Sequence, residues 1–165
     1  MSGSPTRRPT FLRTIASQWA AAGPQLQSLL RIVAAFIFVQ SGTLKLFAFP
    51  IGMPPDGTTA AFPSEVWFAG VLETFGGALL LLGLFTRPVA FLLAGEMAVA
   101  YFQFSSPLSF WPVANNGVAA ALYCFVWLYY SAAGAGPWSL DARRGMVTAA
   151  AGLADPRPGT VPARR

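Results

Sequence analysis

The chain contains no histidine and a single cysteine, Cys124, and only 10% of its 165 residues are charged. Zinc, copper and haem centres lean on His or on several Cys, so their usual ligand sets are missing and no metal site is expected. One cysteine forms neither an intrachain disulfide nor a CxxC redox pair, and within an apolar helix Cys124 reads as a small core filler. No glycine-rich nucleotide loop and no nucleophile paired with a base is present. An average soluble domain carries about 25% charged residues; a chain this poor in charge cannot clothe a soluble surface. What fills the space is apolar: 55% of the residues, with 14 Phe, 5 Trp and 4 Tyr.

A membrane span needs about 20 residues, and the length accommodates four spans with short connections. The expected fold is all-α, a four-helix antiparallel transmembrane bundle spanning residues 29–135, with spans at 29–48, 66–85, 88–105 and 117–133. Residues 1–28 form a polar tail followed by an amphipathic surface helix or an extension of the first span, the apolar stripe Leu12, Ile15 and Trp19 ending at Gly23 and Pro24. Residues 136–165 form a basic tail, disordered past about Ala150.

The net charge of +5 does not point to nucleic acid, because the arginines sit in tails and beside apolar runs rather than along one polar face. Arg7, Arg8, Arg13, Arg87, Arg143, Arg144, Arg157, Arg164 and Arg165 fall on one side of the bundle, and the two longer loops, 49–64 and 106–114, contain no Lys or Arg. The positive-inside rule therefore predicts a multi-pass protein of the bacterial inner membrane with both termini cytosolic. Aromatic belts are expected from Trp67, Tyr101, Phe110 and Trp111 on the outer side and from Trp127, Tyr129, Tyr130 and Trp138 on the inner side.

The stretch Phe68 to Pro88, FAGVLETFGGALLLLGLFTRP, organises the rest. It places one carboxylate, Glu73, inside a span, where an ionisable group costs roughly 2.5 to 3.5 kcal/mol unless it meets a partner or a cavity. Gly76, Gly77 and Gly83 share its broad face by spacing, and with Gly42 on span one they allow close helix packing. At about 1.5 Å per residue, Lys45, Glu73, Gln40 and Tyr123 lie about 5, 10, 12 and 9 Å from the outer ends of their helices. A Lys45–Glu73 ion pair between spans one and two is therefore expected, as a bundle-fixing pair or as one wall of an outward pocket. Arg31, near the other end of span one, reads as an interface anchor. Glu96 lies near the middle of span three with no basic residue at its depth, and fits an uncharged carboxyl that donates to Gln40, Tyr123 or a bound carbonyl. Gln103 shares its face seven residues on. Ser64 is placed to cap span two, Glu65 to sit in its first turn, and Asn115 and Asn116 to cap span four.

The runs SGTLKLF at 41–47, FAGVLETFGG at 68–77, LGLFTRP at 82–88, NNG at 115–117 and GPWSLDARRG at 136–145, in this order and spacing, resemble the DoxX family of small bacterial membrane proteins. The resemblance covers 29–145. It implies a four-helix inner-membrane bundle with Lys45, Glu73, Gly76, Gly77, Thr86, Arg87, Asn115, Asn116, Gly117 and Asp141 at recurrent family positions. The chain departs from many relatives in carrying Val118 after the NNG and no histidine late in span three. Relatives are linked to quinone-coupled sulfur oxidation and to membrane complexes with oxidative-stress enzymes, which implies an oxidoreductase partner subunit. With no redox centre in its side chains, electron transfer here would use a bound quinone or a partner's cofactor. Three functions stay open: a quinone-interacting subunit, using Lys45, Glu73, Glu96, Gln40, Gln103, Asn115, Asn116 and Tyr123 as ligand or proton-relay candidates; a non-catalytic scaffold; and a small transporter or channel, which would require a homo-oligomer.

Overall fold

The computed structural model describes residues 10–145. Among them the only β feature is an isolated bridge between Met53 and Thr58 in a loop. Five helices follow in order: α1, Thr10–Ala21; α2, Gly23–Phe47; α3, Glu65–Leu82; α4, Thr86–Ser105; and α5, Val118–Ala133. Another helix begins at Leu140. Helices α2, α3 and α4 are long and apolar enough to cross a membrane, while α5 is apolar but shorter at 16 residues. The molecule is an all-helical membrane protein with three to four apolar helices in a bundle. The expectations for residues 1–9 and 146–165 fall outside the described residues.

Packing divides the bundle into two pairs, α2 against α3 along its whole length and α4 against α5. Close approach within the first pair depends on Gly42, where a Cβ would lie 2.4 Å from Thr74 Oγ1 and 2.5 Å from the Thr74 backbone nitrogen. Any side chain there would push the helices apart. A core of Ala34, Ala35, Phe38, Leu80, Ala90, Leu93, Ala94, Met97, Trp127 and Tyr130 joins the pairs. Phe38, Tyr123 and Trp127 form an aromatic cluster in it, with ring centroids 5.0 to 5.6 Å apart.

Several expected boundaries move, each for a local reason. Helix α2 begins at Gly23 rather than Leu29, with Pro24 in its first turn, where the missing N–H removes no helical bond. Gly23 and Pro24 therefore start α2 instead of breaking the chain, and only Ala22 separates α1 from it. Helix α3 stops at Leu82 rather than Phe85, because Gly83 takes the left-handed conformation at φ 67°. Helix α4 accordingly starts at Thr86, ahead of Pro88. Both α3 and α4 contain π-helical turns, at Leu72–Gly76 and Tyr101–Ser105. The first shifts the helical register, and the glycines of α3 do not share one face: Gly76 meets Leu93 of α4, its neighbour Gly77 meets Val39 of α2, and Gly83 lies outside the helix against Ser139.

Three further expectations are corrected. Arg31 is no interface anchor; it is fully buried, donating to the carbonyls of Ala135 and Trp138 at 2.9 and 2.6 Å, to Leu81 at 2.8 Å and to Leu80. Trp127 and Tyr130 belong to the core rather than the inner belt, whereas Tyr129 and Trp138 are exposed. Asn115 and Asn116 do not cap α5, which starts after Gly117 without a side-chain cap. Asn115 instead organises the preceding loop, accepting from Gly117 N at 2.7 Å and donating to the Ser109 carbonyl at 2.7 Å, while Asn116 supplies a left-handed residue. Ser64 does cap α3, accepting from Trp67 N at 3.1 Å, but Glu65 does more than face the helix dipole, as the site below shows.

Candidate functional site

Two buried carboxyls from neighbouring helices define the middle of the bundle. The first, Glu73, sits on the π-helical turn of α3 and is almost wholly buried. Lys45, in the last turn of α2, closes an ion pair with Glu73 Oε2 and also donates to Ser41 Oγ at 3.1 Å. A π turn inside an α-helix commonly re-aims a side chain at a functional position; here it directs Glu73 at α2. The loop after α2 ties down the same end, Ala60 N donating to the Lys45 carbonyl at 2.7 Å.

The second carboxyl, Glu96 on α4, is different. Both of its oxygens are buried, and neither has a hydrogen-bond partner. It lies near enough to Glu73 and Lys45 to feel their charges, but neither Gln40 nor Tyr123 reaches it: the Tyr123 hydroxyl points to the Ala34 carbonyl at 3.5 Å. The residue lines a cavity of about 620 Å³ between α3 and α4, the helices of different packing pairs. Its walls are apolar and include Phe68, Phe91 and Phe104, all exposed on the outside of the bundle. Gly95 lies on the α4 side, and a Cβ built there would have nothing within 4 Å. At the loop end of the groove Gln103, on the second π turn, donates to Glu65 Oε2 at 2.6 Å. The arrangement is a lateral groove, reachable from the apolar surroundings of the helices, with one unpartnered carboxyl midway and a polar pair at its rim.

The sequence candidates thus separate. Lys45 and Glu73 meet; Glu96, Gln103 and Glu65 line the groove; Tyr123 belongs to the aromatic cluster and Asn115 to a loop fold. Gln40 is half-buried on α2 and contributes nothing to the groove. Cys124 is a free thiol packed beside the core.

Sequence reasoning missed the opposite end of the bundle. There the segment after α5 folds back beneath α2, fixed by Arg31, by Gln27 Nε2 donating to the Gly134 carbonyl at 2.9 Å and by Trp138 N donating to Ser28 Oγ at 3.2 Å. Gly136 approaches Ser28 so closely that a Cβ would stand 2.4 Å from its Oγ. Asp141 caps α4, accepting from the backbone amides of Phe85 and Thr86 at 2.9 and 2.8 Å. Burial would lift the Asp141 carboxyl, but the Thr86 and Phe85 amides and nearby Arg144 outweigh it and hold the group below its ordinary value. The available signal was the GPWSLDARRG run, whose glycines and single acid follow the last apolar stretch directly.

These features can be set beside known proteins. A family model for DoxX matches residues 26–106. An uncharacterized protein of Haemophilus influenzae is 44% identical over 121 residues, which cover 72% of this chain and 90% of that protein. No solved structure matches. The matched segment contains α3, α4 and all but the first three residues of α2, with the Lys45–Glu73 pair and the Glu96 groove, and the chain belongs to the DoxX family.

Proposed function

We propose that the chain is a quinone-interacting membrane subunit of an oxidoreductase complex, with a lipid-soluble quinone held in the groove between α3 and α4. The observation that carries this reading is the Glu96 carboxyl, buried on both oxygens without a partner and lining an apolar cavity. A buried polar group in that state costs about 1 to 3 kcal/mol, and a ligand carbonyl or hydroxyl would remove the cost. The residues present fit such a guest: Phe68, Phe91 and Phe104 give apolar walls, Gly95 leaves open space, and Glu96 is the hydrogen-bonding group. Bound quinone would supply the two-electron, two-proton chemistry that the chain's own side chains lack. Glu96 would orient the ring oxygen, and the Lys45–Glu73 pair nearby would set the local field.

The distribution of basic residues supports four spans with both termini on the cytosolic side of a bacterial inner membrane. Burial of Arg31 under the folded-back segment weighs against a transporter with a path through the bundle, because that end is packed with hydrogen-bonded backbone.

The test is equilibrium binding of a short-tailed quinone to the purified protein in detergent, read by quenching of tryptophan fluorescence. Wild-type protein should bind saturably. Glu96→Leu should weaken binding about tenfold, the worth of one hydrogen bond to a buried group. Gly95→Leu should block the groove without disturbing packing, since nothing lies near that Cβ. Absence of saturable binding by wild type, or binding untouched by both substitutions, would overturn the reading.

A further inference from the structure

A second cleft, of about 430 Å³, lies at the basic end of the bundle between the α3–α4 turn and the segment after α5. Arg87 lines it, and this guanidinium has neither a hydrogen bond nor an ion pair among the described residues. It lies beside bare backbone, the Cβ position of Gly134 being 3.5 Å from Nε and 3.6 Å from Nη2. One acid, Asp141, shares the lining. Its carboxylate is turned to the amides of Phe85 and Thr86 and leaves Arg87 uncompensated. The walls are fixed, because Arg31 and Gln27 hold the segment after α5 to α2.

We propose that this cleft binds the phosphate of an anionic phospholipid, with Arg87 as the principal contact. A guanidinium presents a rigid fork of donors that matches the paired oxygens of a phosphodiester. Location selects the source: the cleft opens where the apolar helices α3, α4 and α5 end, the level at which a bilayer holds its headgroups. Basic pockets between membrane helices at such a level are a recurring headgroup site. Arg143 and Arg144 follow on the same segment and add to the positive field. The acyl chains of a lipid seated there would lie along the apolar flank of α4 beginning at Pro88 and Val89. This inference does not depend on the groove at Glu96, which lies on another side of the bundle.

The experiment titrates phosphatidylglycerol or phosphatidylcholine into the full chain in one detergent and follows its unfolding midpoint, with lipid adducts counted by native mass spectrometry. Phosphatidylglycerol should bind at least about fivefold tighter, the weight of one basic residue near a bilayer surface. Arg87→Gln should abolish the difference. Ala142→Glu, which brings a carboxylate to the cleft lining without touching Arg87, should also abolish it and decides the matter if Arg87→Gln fails to fold. Equal affinity for the two lipids in wild type, a preference surviving these variants, or the same stabilisation by free inorganic phosphate at matched concentration would overturn the proposal.

Discussion

Breaking the Lys45–Glu73 pair should destabilise the protein asymmetrically. The Glu73 side chain is 3% exposed and that of Lys45 is 20% exposed. Lys45→Met strands a carboxylate inside the bundle, and an uncompensated buried charge costs about 3 to 5 kcal/mol. Glu73→Gln leaves an ammonium that still has Ser41 within 3.1 Å and part of its surface open; its loss should be nearer 1.5 to 3 kcal/mol, the range for a hydrogen bond to a charged group. Gln and Met keep the volumes nearly constant, so cavity terms stay small.

The double substitution should cost less than Lys45→Met alone, because it removes the stranded charge together with its former partner. The assay is an equilibrium unfolding titration with a denaturing detergent against one mild detergent, applied to wild type, both single variants and the double. A coupling energy above about 1.5 kcal/mol is expected. Losses that add within about 0.5 kcal/mol, the scatter for independent sites, would refute the reasoning and make Glu73 a group facing a ligand rather than Lys45.

Other outcomes follow from the same packing. Arg31→Lys should be poorly tolerated, because a single ammonium cannot serve four separate carbonyls as a guanidinium does; a loss of about 2 kcal/mol or more in the same titration is expected. Gly42→Ala should cost about 3 kcal/mol or prevent folding, the added methyl colliding with Thr74 in a site with no room to expand. Asp141→Ala should cost about 1 to 2 kcal/mol at neutral pH, as loss of a helix cap does, while Asp141→Asn should retain much of that. Because the folded Asp141 carboxyl lies below its ordinary value, the unfolded chain binds the proton more readily. Its contribution is therefore complete above the unfolded value and disappears as pH falls through the folded one. Stability of wild type should decline with acidification below about pH 4, and the Ala variant should show a shallower decline in that window.

Much of the architecture was legible because the bilayer imposes strong rules on composition. Long apolar runs, turn residues between them and basic residues on one side are local signals, and the helices lie close to where they point. The Lys45–Glu73 contact was legible from depth, since a charge inside a span demands a partner and only one lay within reach. The fate of Arg31 was not, because near a span end a snorkelling side chain and a buried one have the same local sequence. The deciding residues, Ala135 and Trp138, are more than a hundred positions away. Helix periodicity also failed across Leu72–Gly76, where a π-helical turn shifts the register, and Gly76 and Gly77 pack against different helices. Asn115 and Asn116 misled for a related reason: the side chains that cap a helix also bridge a loop, and the loop at 106–117 has polar backbone of its own to satisfy.

The division into two helix pairs explains why the groove exists at all. Gly42 brings the α2 and α3 backbones together, and α4 packs extensively on α5, so each pair is internally tight. Helices α3 and α4 are joined at one end by a short turn and touch near Gly76 and Leu93, and towards the loop end they diverge around the cavity. A lateral opening in lipid has no water to fill it, so hydrocarbon alone would occupy a purely apolar groove with no selectivity. Glu96 changes that, because a buried carboxyl with no hydrogen-bond partner among the described residues costs about 1 to 3 kcal/mol. Filling the groove with hydrocarbon leaves the cost in place, whereas a guest with an apolar body and one polar oxygen removes it. If that is the origin of affinity, Glu96→Leu should raise the stability of the ligand-free protein by about 1 kcal/mol or more while lowering its affinity for a quinone. A variant that loses both stability and binding would show that Glu96 is satisfied within the protein, and the groove would then have no physical preference for such a guest.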